Sequence, residues 1–362
     1  MSKNHINEYD KLNKLLKDKK VLYIPIYSCF DYKTKLLNFK ADGNINRFLT
    51  TFFNVNSYKS LDIVSPIEGN DYFWFDDCVS KLDNTKIIYS KEIKESAKVQ
   101  RNISFAKKIL NSLKINEYDI VIAEGQYVVL NLLDYYRYVD VIYWCPVCAT
   151  DKNTRDFLEF NRELDKYIFS RVDYTIFTSQ GQVDYLNRLK EDLSIRYTNS
   201  ILIETLIDRN ISFFNYEKNQ SLLNILHRYL DDNWKIVYLP FRLTDEGYKF
   251  KEILSKLVSL DNIKIVVLYS NPNNCDINSL AKNLKEKKYI EQHFINVGKN
   301  RDIYYTLIDY GNVIIPYFED TYFINHAAIY EFETSELCKV VTNIEDMTNI
   351  LEESKILESN ND

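Results

Sequence analysis

Arg242 stands where an apolar run ends. Lys235–Leu239 is continuously apolar and β-rich after its first residue, Pro240 and Phe241 follow, and the guanidinium comes next, ahead of a helical pattern beginning near Glu246. A guanidinium beside a helix N-terminus suits a diphosphate, because the first supplies a fork of donors and the second supplies free N–H groups. Lys249 adds a second cation to the same run. Further on, the apolar Asn312–Ile315 gives way to a polar loop and then to a helical pattern carrying Glu331, Glu333 and Glu336. A carboxylate at such a place accepts hydrogens from two ribose hydroxyls, and these three acids are the candidates, although they cannot all face one cleft.

The first half of the chain holds a different set. Asp31, Asp42 and Glu124 each follow an apolar run, the position from which a carboxylate can act as a general base on a bound hydroxyl. Glu124 precedes Gly125, and in a chain with only 7 glycines that placement predicts an unusual backbone in the loop. Several chemistries are excluded. There is no G-x-G-x-x-G and no G-x-x-x-x-G-K-[ST], which argues against a nicotinamide dehydrogenase or a P-loop NTPase, and no G-x-S-x-G elbow. The histidines, His5, His227, His293 and His326, show no metal spacing, so the pattern indicates no cofactor and, while leaving a divalent metal open, does not point to one. Cys145-Pro146-Val147-Cys148 has the form of a redox pair or half a zinc site, but no second pair of ligands follows, and two thiols at a strand end is the expected reading.

The elements that must position these groups alternate in type. Short apolar runs at Val21–Ile26, Leu61–Val64, Lys86–Tyr89, Ile120–Ala123, Val139–Trp144, Tyr174–Phe177 and Ser200–Ile203 are separated by stretches such as Ser96–Leu113, Thr154–Phe169 and Gln182–Leu189, where apolar residues recur at three- and four-residue spacing. The second half repeats this, with runs at Lys235–Leu239, Lys264–Tyr269, His293–Val297, Asn312–Ile315 and Lys339–Thr342. Its helical patterns cover Ser221–Asp231, Tyr248–Ser259, Ile277–Lys287, Asp302–Ile308, Asn325–Thr334 and Ile344–Glu353. Strand–helix alternation of this kind predicts an α/β protein with parallel sheets. The polar stretch Asp208–Gln220 predicts a boundary, giving an acceptor-binding domain over 1–212, a nucleotide-binding domain over 213–357 and a disordered tail over 358–362. Two Rossmann-like domains facing across a cleft would place a ligand at the carboxyl ends of their strands.

A chain of 362 residues with 46% hydrophobic residues has enough material for two cores. Its net charge of −6 gives no general attraction to nucleic acid, although Lys33–Arg47 and Arg155–Arg171 are locally basic with Tyr and Phe interleaved. No run is long enough to span a membrane, and the start MSKNHINEYDKLNK lacks an apolar leader, so a cytoplasmic location is expected.

Three stretches carry a resemblance. Ile176-Phe177-Thr178-Ser179-Gln180-Gly181, then Val237-Tyr238 through Phe241-Arg242, then Tyr330-Glu331 with Ser335-Glu336, resemble in order the "I-S-Q-G", "S-F-R" and "W-E-x-x-x-S-D" runs of bacteriophage DNA β-glucosyltransferases. Those are inverting enzymes of the GT-B fold. Phe241–Gly247 also resembles the "G-R-L-x-x-E-K-G" run of retaining GT-B glycosyltransferases, with Lys249 close to the place of its lysine. The resemblance implies a nucleotide sugar, UDP-linked by preference, held by Arg242 on the diphosphate and Glu331 on the ribose. It implies a general base at Asp151, which follows Thr150 as a T-D pair, with Glu124 and Asp31 as rivals. It also implies an acceptor hydroxyl on a modified base of double-stranded DNA, reached by base flipping, with a surface glycan or small molecule as the other acceptor class. The second phosphate arginine of the phage enzymes would fall at Glu246, and the arginine before their glutamate at Ala328. Two α/β lobes closing on a ligand without catalysis, as in solute-binding proteins, are the rival outside the enzymes.

Overall fold

In a computed structural model the chain divides into two compact units, the change falling between Phe213 and Phe214. The structure describes residues 3–25, 30–31, 36–37, 43–65, 79, 82–90, 103–145, 162–178, 180–191, 197–203, 219–230, 234–241, 243, 249–270, 276–298, 301–318, 332 and 337–358.

The first unit is built on a parallel sheet of seven strands: β1 (Lys20–Ile24), β4 (Ser60–Ser65), β5 (Thr85–Tyr89), β6 (Ile120–Ala123), β7 (Asp140–Cys145), β8 (Tyr174–Phe177) and β9 (Asn199–Leu202). Their order in space is β5-β4-β1-β6-β7-β8-β9. The five inner strands are buried along nearly all their length, as expected where helices cover both faces of a parallel sheet, while the edge strands β5 and β9 are largely half-exposed. A two-residue antiparallel pair, β2 (Phe30–Asp31) with β3 (Leu36–Leu37), was not expected, being too short to carry an alternation. The helices are α1 (Lys3–Leu16), α2 (Gly43–Asn54), α3 (Ile103–Asn111), α4 (Gln126–Tyr135), α5 (Arg162–Phe169) and α6 (Gln180–Glu191). Phe48 and Phe52 of α2 lie against one face of the sheet through Tyr23 and Trp144. Phe169 of α5 meets Tyr143 and Phe177, whose side chains point to the other face.

The second unit has a five-stranded parallel sheet: β10 (Lys235–Leu239), β11 (Ile265–Tyr269), β12 (Phe294–Asn296), β13 (Val313–Pro316) and β14 (Lys339–Val341), in the order β12-β11-β10-β13-β14. Its helices are α7 (Gln220–Leu230), α8 (Phe250–Ser259), α9 (Leu284–His293), α10 (Arg301–Tyr310) and α11 (Ile344–Glu358). The one helix expected over 277–287 is broken in two. Ile277–Leu280 forms a 3-10 turn capped by Asp276, and Asn283 then accepts from the Glu286 N–H at 2.9 Å to start α9, while Glu286 accepts from the Lys282 N–H at 2.6 Å. These reciprocal caps make a break more favourable than a continuous helix. α11 runs to Glu358, and residues 359–362 lie outside the described residues.

Gly311 closes α10 with φ +75°, and a Cβ there would lie 2.8 Å from the Leu337 Cβ. Gly311→Ala is therefore expected to destabilise the second unit by about 2 kcal/mol, from the left-handed backbone and the clash together. A urea midpoint equal to that of the wild type would contradict this. No described helix is long and apolar enough to cross a membrane.

Candidate functional site

In an open parallel sheet, ligands bind at the carboxyl ends of the strands where the strand order reverses. In the first unit the chain runs outward from β1 through β4 to β5, then returns to β6 on the other side of β1. The reversal point therefore lies between β1 and β6. In the second unit the same argument puts it between β10 and β13.

Glu124 occupies the first of these points. It is the residue immediately after β6, and its N–H donates to the Ile24 carbonyl at the end of β1 at 3.1 Å. The side chain is 2% exposed and accepts a hydrogen bond from the Tyr23 hydroxyl. Tyr23 is itself fully buried and stacks on Phe48, with ring centroids 4.4 Å apart. Gly125 follows at φ −89°, an extended value open to any residue, so the unusual backbone expected there is not found. Its role is that of N-cap to α4, and the adjacent positive end of the helix favours the Glu124 carboxylate. Gln126, in the first turn of α4, donates its side-chain amide to the buried Asp165 of α5, which pins the start of that helix.

Three other carboxylates are buried among the described residues, and each does structural work away from a reversal point. Asp62 lies within β4 and accepts from the Tyr118 hydroxyl at 2.6 Å, with Lys86 Nζ at 3.3 Å. Burial and the neighbouring Asp62 hold the Tyr118 phenol well above its ordinary range. Asp165 joins α5 to α4, and Glu286 caps α9. An open concavity of about 460 Å³, lined by Asp134, Arg137, Asp140, Arg171 and Asp173, lies at the amino ends of β7 and β8, the edge of the sheet where ligands do not bind in this fold.

At the second reversal point β10 ends in Leu239, followed by Pro240, Phe241 and Leu243, all buried. Arg242 falls between the last two, outside the described residues, as do Glu331, Tyr330, Ser335, Asp151 and Asp42. Lys249 is described. It takes a left-handed backbone, φ +51° and ψ +35°, and caps α8, its carbonyl accepting from the Glu252 and Ile253 N–H groups at 2.9 and 3.1 Å. The helix begins at Phe250, not near Glu246, so the helix terminus lies further along the chain from Arg242 than the pattern predicted. β13 leads into Tyr317 and Phe318, both buried. Asp31 ends β2, and only its backbone is described.

Sequence reasoning did not single out Tyr23 or Trp144. Both look like ordinary strand residues until the register is known. Tyr23 pairs with Ile122, and Ile122 pairs with Ile142, so Tyr23, Glu124 and Trp144 share one face. Cys145, at the end of β7, is buried, and Cys148 lies outside the described residues. No group of three or more His, Cys, Asp or Glu among the described residues is placed to hold a metal.

No family model matches the chain, and no curated protein matches it. Solved structures do. An α,α-trehalose 6-phosphate synthase from Burkholderia multivorans is similar over 83% of this chain and 78% of its own, at 11% identity and a TM-score of 0.50. A UDP-forming α,α-trehalose-phosphate synthase from Burkholderia vietnamiensis is similar over the same shares, at 8% identity and a TM-score of 0.50. HepE from Anabaena, in complex with UDP and glucose, covers 84% of this chain and 75% of its own at 10% identity, with a TM-score of 0.48. At such identities the likeness is one of fold. The fold is the two-domain α/β arrangement of the GT-B glycosyltransferases, and a specific likeness to the phage DNA enzymes is not shown.

Proposed function

We propose that the protein is a glycosyltransferase that moves a sugar from a nucleoside diphosphate, UDP by preference, to an acceptor hydroxyl. The observation that supports this most is the pair of parallel sheets, each with its own reversal point, in a chain whose fold is that of GT-B enzymes. The second unit holds the donor. Arg242 follows β10 at the reversal point and carries the diphosphate, Lys249 adds positive charge, and Glu331, with Tyr330 and Ser335, holds the ribose. The first unit binds the acceptor, and a carboxylate there takes its proton, the choices being Asp151, Glu124 and Asp31. Cationic groups stabilise the leaving diphosphate.

The acceptor class favoured by the motif pattern is a hydroxymethylated or hydroxylated base in duplex DNA, supported by the basic, aromatic-rich stretches Lys33–Arg47 and Arg155–Arg171. A thermal-shift comparison of UDP, GDP and ADP, followed by UDP release from UDP-glucose, tests the reading. The expected result is a rise in melting temperature with UDP and turnover of UDP-glucose, since a ligand that binds only the folded state stabilises it by mass action. Binding without turnover under any acceptor would favour the non-catalytic two-lobed binder instead. Adding duplex DNA with and without 5-hydroxymethylcytosine decides the acceptor. Equal UDP release with both duplexes would remove DNA from the proposal.

A further inference from the structure

The geometry points to Glu124, held by Tyr23 and flanked by the Trp144 indole, as the group that grips the acceptor hydroxyl and takes its proton. This rests on the glycosyl-transfer reading and selects among its three carboxylates. Burying a carboxylate is costly, and interiors retain one where it is hydrogen-bonded and has work to do. Glu124 is 2% exposed, and it is the buried described acid that stands at the carboxyl edge of the sheet where the strand order reverses. The Tyr23 hydroxyl donates to Oε1, and a carboxylate has sites for further donors, one of which an acceptor O–H would use.

Trp144 is an independent observation. It is fully buried, and among the described residues its Nε1–H has no hydrogen-bond partner. A buried donor left unpaired is uncommon and calls for an explanation. One step beyond the Ala123–Tyr143 pair, Trp144 stands beside Glu124 on the neighbouring strand and on the same face, and its ring lies 5.6 Å from that of Tyr23. The register thus sets a carboxylate and an indole donor on neighbouring strands of one face. A polyhydroxylated or hydroxymethyl-bearing substrate needs both, one group to take the hydrogen of the reacting hydroxyl and another to donate to a neighbouring oxygen.

The step balances as follows. The acceptor O–H bond breaks and its proton passes to a Glu124 carboxylate oxygen. The acceptor oxygen forms the new bond to the anomeric carbon. The bond from that carbon to the diphosphate oxygen breaks, and its electron pair leaves with the diphosphate. Tyr23 and Trp144 are positioning residues in this scheme.

The test uses the full chain with UDP-glucose and measures UDP release with water as acceptor, alongside UDP binding by thermal shift. Glu124→Gln should keep the UDP-dependent shift and lower kcat by about 100- to 10,000-fold, the range that a positioned base contributes. Formate should restore part of the rate of Glu124→Ala by placing a carboxylate in the vacated space. Tyr23→Phe should lower kcat less than Glu124→Gln does and should change the pH dependence of the rate, which loss of packing alone would not do. Wild-type turnover matched by Glu124→Gln would overturn the assignment and leave the donor reading standing. A wild type that binds UDP but releases none from UDP-glucose would also overturn the assignment. A wild type that does not bind UDP would overturn the donor reading and the assignment together.

Discussion

Arg242→Ala removes most of the rise in melting temperature that UDP produces. A guanidinium grips a diphosphate through charge-assisted hydrogen bonds. Charge-assisted hydrogen bonds of this kind are worth roughly 1.5–3 kcal/mol each, and a fork supplies two in parallel. Losing them weakens binding by at least about 100-fold. At a UDP concentration of about 100 Kd for the wild type, binding stabilises the folded state by about 2.7 kcal/mol. The same concentration is then only about equal to the Kd of the variant, and the stabilisation falls to about 0.4 kcal/mol. For a domain of this size that difference is a drop in the shift of roughly 5 °C. Arg242→Lys keeps the charge but not the fork, so an intermediate shift is expected. The unliganded variant is melted alongside the wild type, so that any change in intrinsic stability is read apart from the loss of the UDP shift. A UDP shift in Arg242→Ala equal to the wild-type shift would take Arg242 out of the site.

The strands were legible in the sequence because both sheets are parallel and covered on each face. Ile120–Ala123, Tyr174–Phe177 and Lys235–Leu239 read as short, largely apolar and β-rich runs, and they are strands over those same residues. Helix limits were less legible. The break before α9 depends on Asp276, Asn283 and Glu286 satisfying backbone groups, and periodicity does not register a capping residue inside an apparently continuous pattern. The candidate site was legible in part. Glu124 was visible as an acid after an apolar run, because that needs only chain order. Tyr23 was not, because its bond to Glu124 crosses from β1 to β6 over a separation of 101 residues. Trp144 was hidden for the same reason, since its place beside Glu124 is a property of strand register. Gly125 departs from the expectation because it caps α4 in an ordinary extended conformation, which scarcity of glycine in the chain does not foretell.

Phe48→Ala separates the support of this site from its chemistry. Phe48 is fully buried on α2, stacked on Tyr23 with planes 6° apart, and 5.0 Å from Phe52, whose ring is in turn 6.4 Å from that of Trp144. Truncating a buried phenylalanine costs about 3–5 kcal/mol, from lost burial and from the cavity that remains. That is a large share of the stability of a typical domain, about 5–15 kcal/mol. The unfolding transition of the first unit should therefore move to much lower urea, while UDP binding by the second unit persists below that transition. Tyr23 loses the ring that fixes its plane, so the Tyr23–Glu124 hydrogen bond loosens and UDP release from UDP-glucose should slow even where the protein remains folded. Phe53→Ala is the matched control. It is the next residue but four on the same helix, 45% exposed, and its truncation should change stability by no more than about 0.5 kcal/mol. If Phe48→Ala proved as stable as Phe53→Ala, the aromatic stack would not be holding Tyr23. If Phe48→Ala lost stability but kept the full rate of UDP release, the stack would support the fold without ordering the carboxylate.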